Sequence, residues 1–331
     1  MSDMLEMLQT LGDQLRWAAE LEPPEVPPSE DLIVVGMGGS GVSGDYLQAV
    51  AGESTARVHV HKEYAPLPRW ADSRRPLVIA ASYSGNTEET LDGVEDARAR
   101  GLEVVALTTG GALLEMGDES LPVVRIPTGL QPRAAVGYLT GAVLRIAAGA
   151  GAIDDQRPAL DESASLADGA LAEGSRPWAQ AEQTAEALGD RIAIIYGGGP
   201  VSSTVAGRWK TQINENAKMP AWASHLPELN HNELVGWETM PDATARSLAI
   251  VALADRDDHP RVGARRRFSE QLTSDAVPWV ATIDSWGESR LARLMSLTGS
   301  GDLVSWMMAR NAGVDPTPVA TIEKLKVLLR D

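Results

Sequence analysis

Pro76-Leu77-Val78-Ile79-Ala80-Ala81-Ser82-Tyr83-Ser84-Gly85-Asn86-Thr87-Glu88-Glu89 runs from an apolar stretch, through a hydroxyl-rich turn, into the acidic opening of a helix. An uninterrupted apolar hexapeptide of this length reads as a strand buried on both faces, which is the pattern of a parallel sheet. The first turn of the following helix exposes backbone N–H groups without intrahelical partners, at the positive end of the helix dipole. Ser82, Ser84 and Thr87 around a Gly-Asn turn therefore build a phosphate site. The turn lacks a Walker lysine, which points to a small phosphorylated ligand rather than a nucleoside triphosphate.

Outward from this stretch, strands and helices alternate. Strands are expected at 31–36, 57–61, 76–81, 103–108 and 121–126, and helices at 41–50, 88–100 and 133–148. An N-terminal helix over 4–21 ends at Pro23, Pro24, Pro27 and Pro28. An acidic, Ala-rich stretch from Asp154 leads into one long helix ending near Leu188. A second alternation follows: strands at 191–196, 247–253 and 277–283, helices at 203–217, 262–274 and 289–310, and a closing helix over 316–329. Leu32-Ile33-Val34-Val35-Gly36-Met37-Gly38-Gly39-Ser40 is echoed by Ile192-Ala193-Ile194-Ile195-Tyr196-Gly197-Gly198-Gly199. The expected fold is α/β, with two related doubly wound domains over 1–152 and 153–331, each a mainly parallel sheet flanked by helices. The second domain has no counterpart of the Ser/Thr hexapeptide, so one phosphate site per chain is expected.

The 331 residues are enough for two ordinary domains, and no apolar run reaches membrane-spanning length. The first 19 residues carry acidic side chains and no uninterrupted apolar core, which is unlike a signal peptide, and the chain has no Cys; a cytoplasmic location is expected. No His pair has metal-ligand spacing, so no metal is expected. A formal net charge of −17 disfavours nucleic acid and anionic membranes as partners. It also repels a phosphorylated ligand, so local donors must win within a Debye length of about 8 Å.

Gly36-Met37-Gly38-Gly39-Ser40-Gly41 has the form G-x-G-x-x-G between a strand and a helix, with Glu63 about twenty residues further on. It reads as a dinucleotide loop, as a tight strand-to-helix turn, or as a sugar contact through Gly39 and Ser40. The competing reading of Ser82, Ser84 and Thr87 is ordinary N-capping. Asn214-Glu215-Asn216-Ala217-Lys218 crowds polar groups onto a helix end, and Glu228-Leu229-Asn230-His231-Asn232-Glu233 follows. Glu215, Glu228, Glu233, His225 and His231 suit proton transfer, against the plain alternative of a solvated helix end and loop. Arg133 opens a helix, where a cation opposes the dipole; it is either an anion ligand or a surface residue. Lys324 and Lys326 sit where cations suit a helix C-terminus.

Taken in order, 36–41, 82–87, Pro132-Arg133-Ala134-Ala135, 214–218 and 228–233 resemble the bifunctional phosphoglucose/phosphomannose isomerase family, whose members consist of two SIS (sugar isomerase) domains. The resemblance implies a cofactor-free isomerase of hexose 6-phosphates working through a cis-enediol. In that family Ser82, Ser84 and Thr87 would hold phosphate, and Gly39 and Ser40 would line the sugar. Glu215 would be the base, Arg133 would stabilise the enediolate, and His231 would open the ring. Lys326, with Lys324 competing, would assist ring opening. The resemblance also implies a homodimer in which His231 crosses to the partner's site. A non-catalytic phosphosugar-binding SIS regulator and a nicotinamide-dependent enzyme are the other two readings. The former leaves Glu215 and His231 unexplained, and the latter has no use for the Ser/Thr cluster.

Overall fold

A computed structural model describes residues 2–118 and 120–329. In chain order its helices are α1 (Ser2–Gln9), α2 (Leu11–Glu20), α3 (Gly38–Ala51), α4 (Ala71–Arg74), α5 (Glu88–Ala99), α6 (Gly111–Glu115), α7 (Val136–Gly149), α8 (Arg157–Ala170), α9 (Arg176–Leu188), α10 (Pro200–Gln212), α11 (Pro241–Ser247), α12 (Pro260–Thr273), α13 (Arg290–Ala312) and α14 (Ala320–Leu328). The strands are β1 (Asp31–Val35), β2 (Arg57–His61), β3 (Leu77–Ala81), β4 (Val104–Thr108), β5 (Val123–Arg125), β6 (Ile192–Gly197), β7 (Ala221–His225), β8 (Leu248–Ala254) and β9 (Trp279–Asp284). Among the described residues no helix is long and apolar enough to cross a membrane.

The chain divides into two compact units, one of residues 9–169 and 286–296, the other of 1–8, 170–285 and 297–331. The unit containing β1–β5 has a parallel sheet of order β2-β1-β3-β4-β5. Every residue of β1, β3 and β4 is buried, as the apolar runs require when helices cover both faces. Successive strand residues point to opposite faces. Gly93 of α5 lies against Val35, whereas Gly44 of α3 lies against Val34, so the two helices take opposite sides of the sheet. On the α5 side Ile33, Val35, Val78, Ala80, Val94 and Val104 form the core.

The other unit has a parallel sheet of order β7-β6-β8-β9. Ile194, Tyr196, Leu226, Leu229, Trp237, Ile250, Val262 and Val277 form one core of this unit. Trp209 of α10 is fully buried and donates its indole N–H to the Leu297 carbonyl at 2.8 Å.

Several elements differ from expectation. The helix expected over 4–21 is two helices meeting at Thr10. The long helix after Asp154 is also two, because Ser175 accepts the Trp178 N–H at 3.1 Å and Pro177 sits at the start of α9, so a new helix begins there. The helix expected from 133 begins as a 3-10 turn, Pro132–Ala134, before α7. β7 was not expected; it is an edge strand, largely exposed, with no apolar run to announce it.

Candidate functional site

The 82–87 segment leaves β3 and enters α5. Ser82 is buried, and its hydroxyl lies 2.9 Å from the Thr87 hydroxyl and accepts the Gly85 N–H at 3.1 Å. The Ser84 hydroxyl accepts the Asn86 N–H at 3.3 Å. Thr87 occupies the N-cap position of α5, yet its side chain makes no capping bond to the helix. The capping explanation of Thr87 therefore fails on geometry: its hydroxyl faces Ser82 across the loop mouth. The first turn of α5 keeps N–H groups that no Thr87 side chain satisfies, which is the arrangement an anion completes.

The loop is held rigidly. Gly85 has φ +70°, and a Cβ there would lie 1.7 Å from the Gly110 carbonyl oxygen, so only glycine fits. The Gly85 carbonyl accepts the Leu113 N–H at 2.9 Å, and the Asn86 side-chain oxygen accepts the Ala112 N–H at 3.0 Å. The Tyr83 carbonyl takes both the N–H and the hydroxyl of Thr109, at 3.1 and 2.7 Å. The Tyr83 phenol, whose pKa burial pushes up, donates to the Pro127 carbonyl at 3.0 Å and accepts the Leu130 N–H at 3.1 Å. The motifs alone give Tyr83, Thr109 and Gly110 no role; the visible signal for them is the Thr-Thr-Gly-Gly run at the end of β4.

Two other sequence motifs converge on this loop. The Ser40 hydroxyl, at the start of α3, accepts the Tyr83 N–H at 3.1 Å. The 3-10 turn carrying Arg133 lies directly on Gly39, where a Cβ would stand 3.0 Å from the Pro132 carbonyl oxygen and 3.1 Å from the Arg133 Cα. Arg133 is only 2% exposed, so it is not the surface arginine of the plain reading. Gln14 fixes that turn: its side chain donates to the Ala134 carbonyl at 2.8 Å and accepts the Gly137 N–H at 2.9 Å. Gly39, Ser40, Ser82, Ser84, Thr87 and Arg133 thus belong to one neighbourhood at the carboxyl ends of the strands, where open α/β sheets bind ligands.

In the other unit, α10 runs into a π-helix, Ile213–Ala217, that carries Glu215. One side of this segment is anchored in a buried polar network. Arg208 donates to both Asp302 oxygens at 3.0 and 3.1 Å, Gln212 donates to Asp302 at 2.6 Å, and Asn216 donates to the Ser305 hydroxyl at 3.0 Å. Glu215 is half-buried and lines a cleft of about 600 Å³ with Asn214, Lys218 and residues from Val314 to Ile322. The wide π turn is the kind of helix irregularity that recurs at functional sites. Lys218, in the left-handed region at φ +58°, ends it; its ammonium donates to the carbonyls of Glu215 and, at 3.0 Å, Pro316.

His231 ends a 3-10 turn, Glu228–His231, and is exposed, as is His225 at the end of β7. Lys324 and Lys326 are exposed on α14, whose first residues line the Glu215 cleft although neither lysine does. Within this unit the cleft around Glu215 does not include His231 or Lys326. Among the described residues, no three carboxylates or imidazoles converge in a metal-binding arrangement.

Comparison with known proteins bears on the family and the fold. The SIS domain family matches residues 28–132, and the bacterial phospho-glucose isomerase C-terminal SIS domain family matches 179–329. The bifunctional phosphoglucose/phosphomannose isomerase of Caldicellulosiruptor bescii is 37% identical over 98% of both chains. That of Thermoplasma acidophilum is 36% identical over 97% of this chain and 96% of its own. Among solved structures, the C-terminal domain of glucosamine-fructose-6-phosphate aminotransferase from Francisella tularensis shares the fold, with a TM-score of 0.69, 16% identity and coverage of 95% and 96%. With two SIS-type units in sequence and near-full-length identity to curated members, this chain belongs to the bifunctional phosphoglucose/phosphomannose isomerase family.

Proposed function

We propose that this protein is an aldose–ketose isomerase that interconverts glucose 6-phosphate and mannose 6-phosphate with fructose 6-phosphate. The observation that carries the reading is the Thr87 hydroxyl turned off its own helix and onto Ser82, beside the open N-terminus of α5. Ser82, Ser84 and Thr87 grip the phosphate, and Gly39 and Ser40 line the sugar. The preorganised loop costs little reorganisation when substrate arrives.

Ring opening breaks C1–O5; the O1 hydroxyl proton leaves as C1=O1 forms, and O5 gains a proton. His231, supplied across a homodimer interface, mediates this transfer, with Lys326 assisting. Glu215 then removes the proton from C2 and returns it to C1, while the hydroxyl proton passes from O2 to O1 through a cis-enediol. Arg133 stabilises the negative charge that develops on the oxygens. Rotation about C2–C3 of the open chain presents either face of C2 to the base, which admits both aldoses. Neither metal nor organic cofactor takes part in these steps, and the reaction belongs to cytoplasmic hexose phosphate metabolism in glycolysis and gluconeogenesis.

The test is a coupled assay on fructose 6-phosphate with EDTA present, scoring glucose 6-phosphate and mannose 6-phosphate separately. Glu215→Gln is expected to lower kcat by about 10²–10⁴-fold while fructose 6-phosphate still binds. Near-wild-type turnover in that variant would remove Glu215 as the base. Binding without turnover in the wild type would leave a phosphosugar sensor.

A further inference from the structure

We propose that Tyr196 is a positioning residue for His231: through Glu233 it clamps the chain just after the turn that presents the imidazole, while Ser269 and Arg265 hold the turn itself through Asn230. The inference rests on the ring-opening role given to His231 above. Tyr196 is on β6, 1% exposed, and its ring meets Trp279 edge-on at 5.4 Å, so the phenol is fixed by the core. Its hydroxyl donates to a Glu233 carboxylate oxygen. Burial, and then the carboxylate itself, push the phenol well above its ordinary pKa, so it remains a donor. At the other end, the Asn230 side chain donates to the Ser269 hydroxyl at 2.7 Å and accepts from Arg265 at 3.2 Å, both on α12.

The two pins fall immediately before His231 and two residues after it. Leu229 is buried below the turn, while His231 itself is exposed. The 3-10 turn that follows, Glu233–Glu238, borders a cavity of about 460 Å³ lined by Glu233, Gly236 and Trp237 and, from β7, Trp222 and Ser224, so open space lies at the Glu233 end of this segment. A segment with open space at one end needs directional bonds there to hold a neighbouring catalytic side chain to sub-ångström placement. An O–H···carboxylate bond is short and strong enough to do so.

The experiment separates ring opening from isomerisation. Exchange between the α and β anomers of glucose 6-phosphate is followed by NMR in the Glu215→Gln background, where isomerisation is stopped. His231→Ala is expected to abolish enzyme-driven exchange. Tyr196→Phe is expected to lower it roughly 10–100-fold with unchanged thermal stability and an unchanged affinity for inorganic phosphate. Glu233→Gln, which keeps an acceptor for the phenol, should retain more exchange than Glu233→Ala. If Tyr196→Phe fails to fold, Ser269→Ala at the opposite pin should give the same selective loss. Full exchange in folded Tyr196→Phe, with His231→Ala inactive, would overturn the clamp and leave the role of His231 intact. Full exchange in His231→Ala would overturn both.

Discussion

The loop after β3 and the loop after β8 occupy the same place in two sheets of matching order, yet they are built from opposite chemistry. The first, Ser82–Thr87, is made of hydroxyls and N–H groups, with its helix end left uncapped by Thr87. The second reads Asp255-Arg256-Asp257-Asp258-His259. There the Asp258 carboxylate covers Gly199 at the start of α10, accepts the Asp255 N–H at 3.0 Å, and lies 3.3 and 3.4 Å from the Ser202 hydroxyl. Ser202 in turn accepts the N–H groups of Gly198 and Gly199 at 2.8 and 3.0 Å. The start of α10 is thus answered by a carboxylate of the chain itself, and α12, the helix that follows the second loop, is capped by the His259 ring, which accepts the Arg261 N–H at 3.1 Å, whereas α5, the helix that follows the first loop, has Glu88 and Glu89 in its first turn but no side-chain cap from Thr87. The single phosphate site proposed for this duplicated fold rests on that difference between the two loops.

Making the first loop resemble the second should break this contrast most severely. Thr87→Asp places a carboxylate at the helix end, where it caps α5 and repels phosphate. KM for fructose 6-phosphate should rise about 100-fold, or ~3 kcal/mol of lost binding. The melting temperature should hold or rise slightly, since Asp is a good N-cap. A Thr87→Asp enzyme with ordinary KM would remove the phosphate site from this loop. The reverse change sharpens the contrast: Asp258→Ala should cost about 1–3 kcal/mol in denaturant unfolding by orphaning buried partners, with KM for fructose 6-phosphate unchanged.

The smallest effect is a pH dependence. Burial is the main cause that raises the Asp258 carboxyl above its ordinary value. Protonation of the folded state then exceeds that of the unfolded chain between the unfolded value, about 3.9, and the raised one. Its contribution is fully present below the unfolded value and is lost as pH rises through the folded one. Melting of the wild type should therefore weaken relative to Asp258→Asn as pH climbs from about 4 toward 7. Asp31 in the first unit, lowered chiefly by its bond to Arg57, contributes with the opposite sign and loses its part as pH falls.

The parallel strands were legible because each is a short apolar run with both faces covered, as in β1, β3 and β8. β7 was not, since Ala-Trp-Ala-Ser-His on a sheet edge has neither an apolar run nor a buried face. The break before α9 is carried by Ser175-Arg176-Pro177, but the Ala-rich flanks favour one continuous helix and mask it. The π-helix at Glu215 left no readable signal: its wide turn is supported by side chains near 302–305, about ninety residues away.

The alternation of strands and helices, the glycine and hydroxyl loops, and the family these motifs belong to can all be read from the chain order alone. These depend on periodicity and on residues adjacent in the chain. That Arg133 is buried on Gly39, that Ser40 is bonded to Tyr83, that Thr87 turns from its helix toward Ser82, and that Asp258 covers Gly199 emerge from the folded arrangement. The Arg133, Ser40 and Asp258 contacts depend on which atoms meet when strands distant in sequence are laid side by side, and the direction of the Thr87 side chain depends on how the loop between β3 and α5 folds back on Ser82.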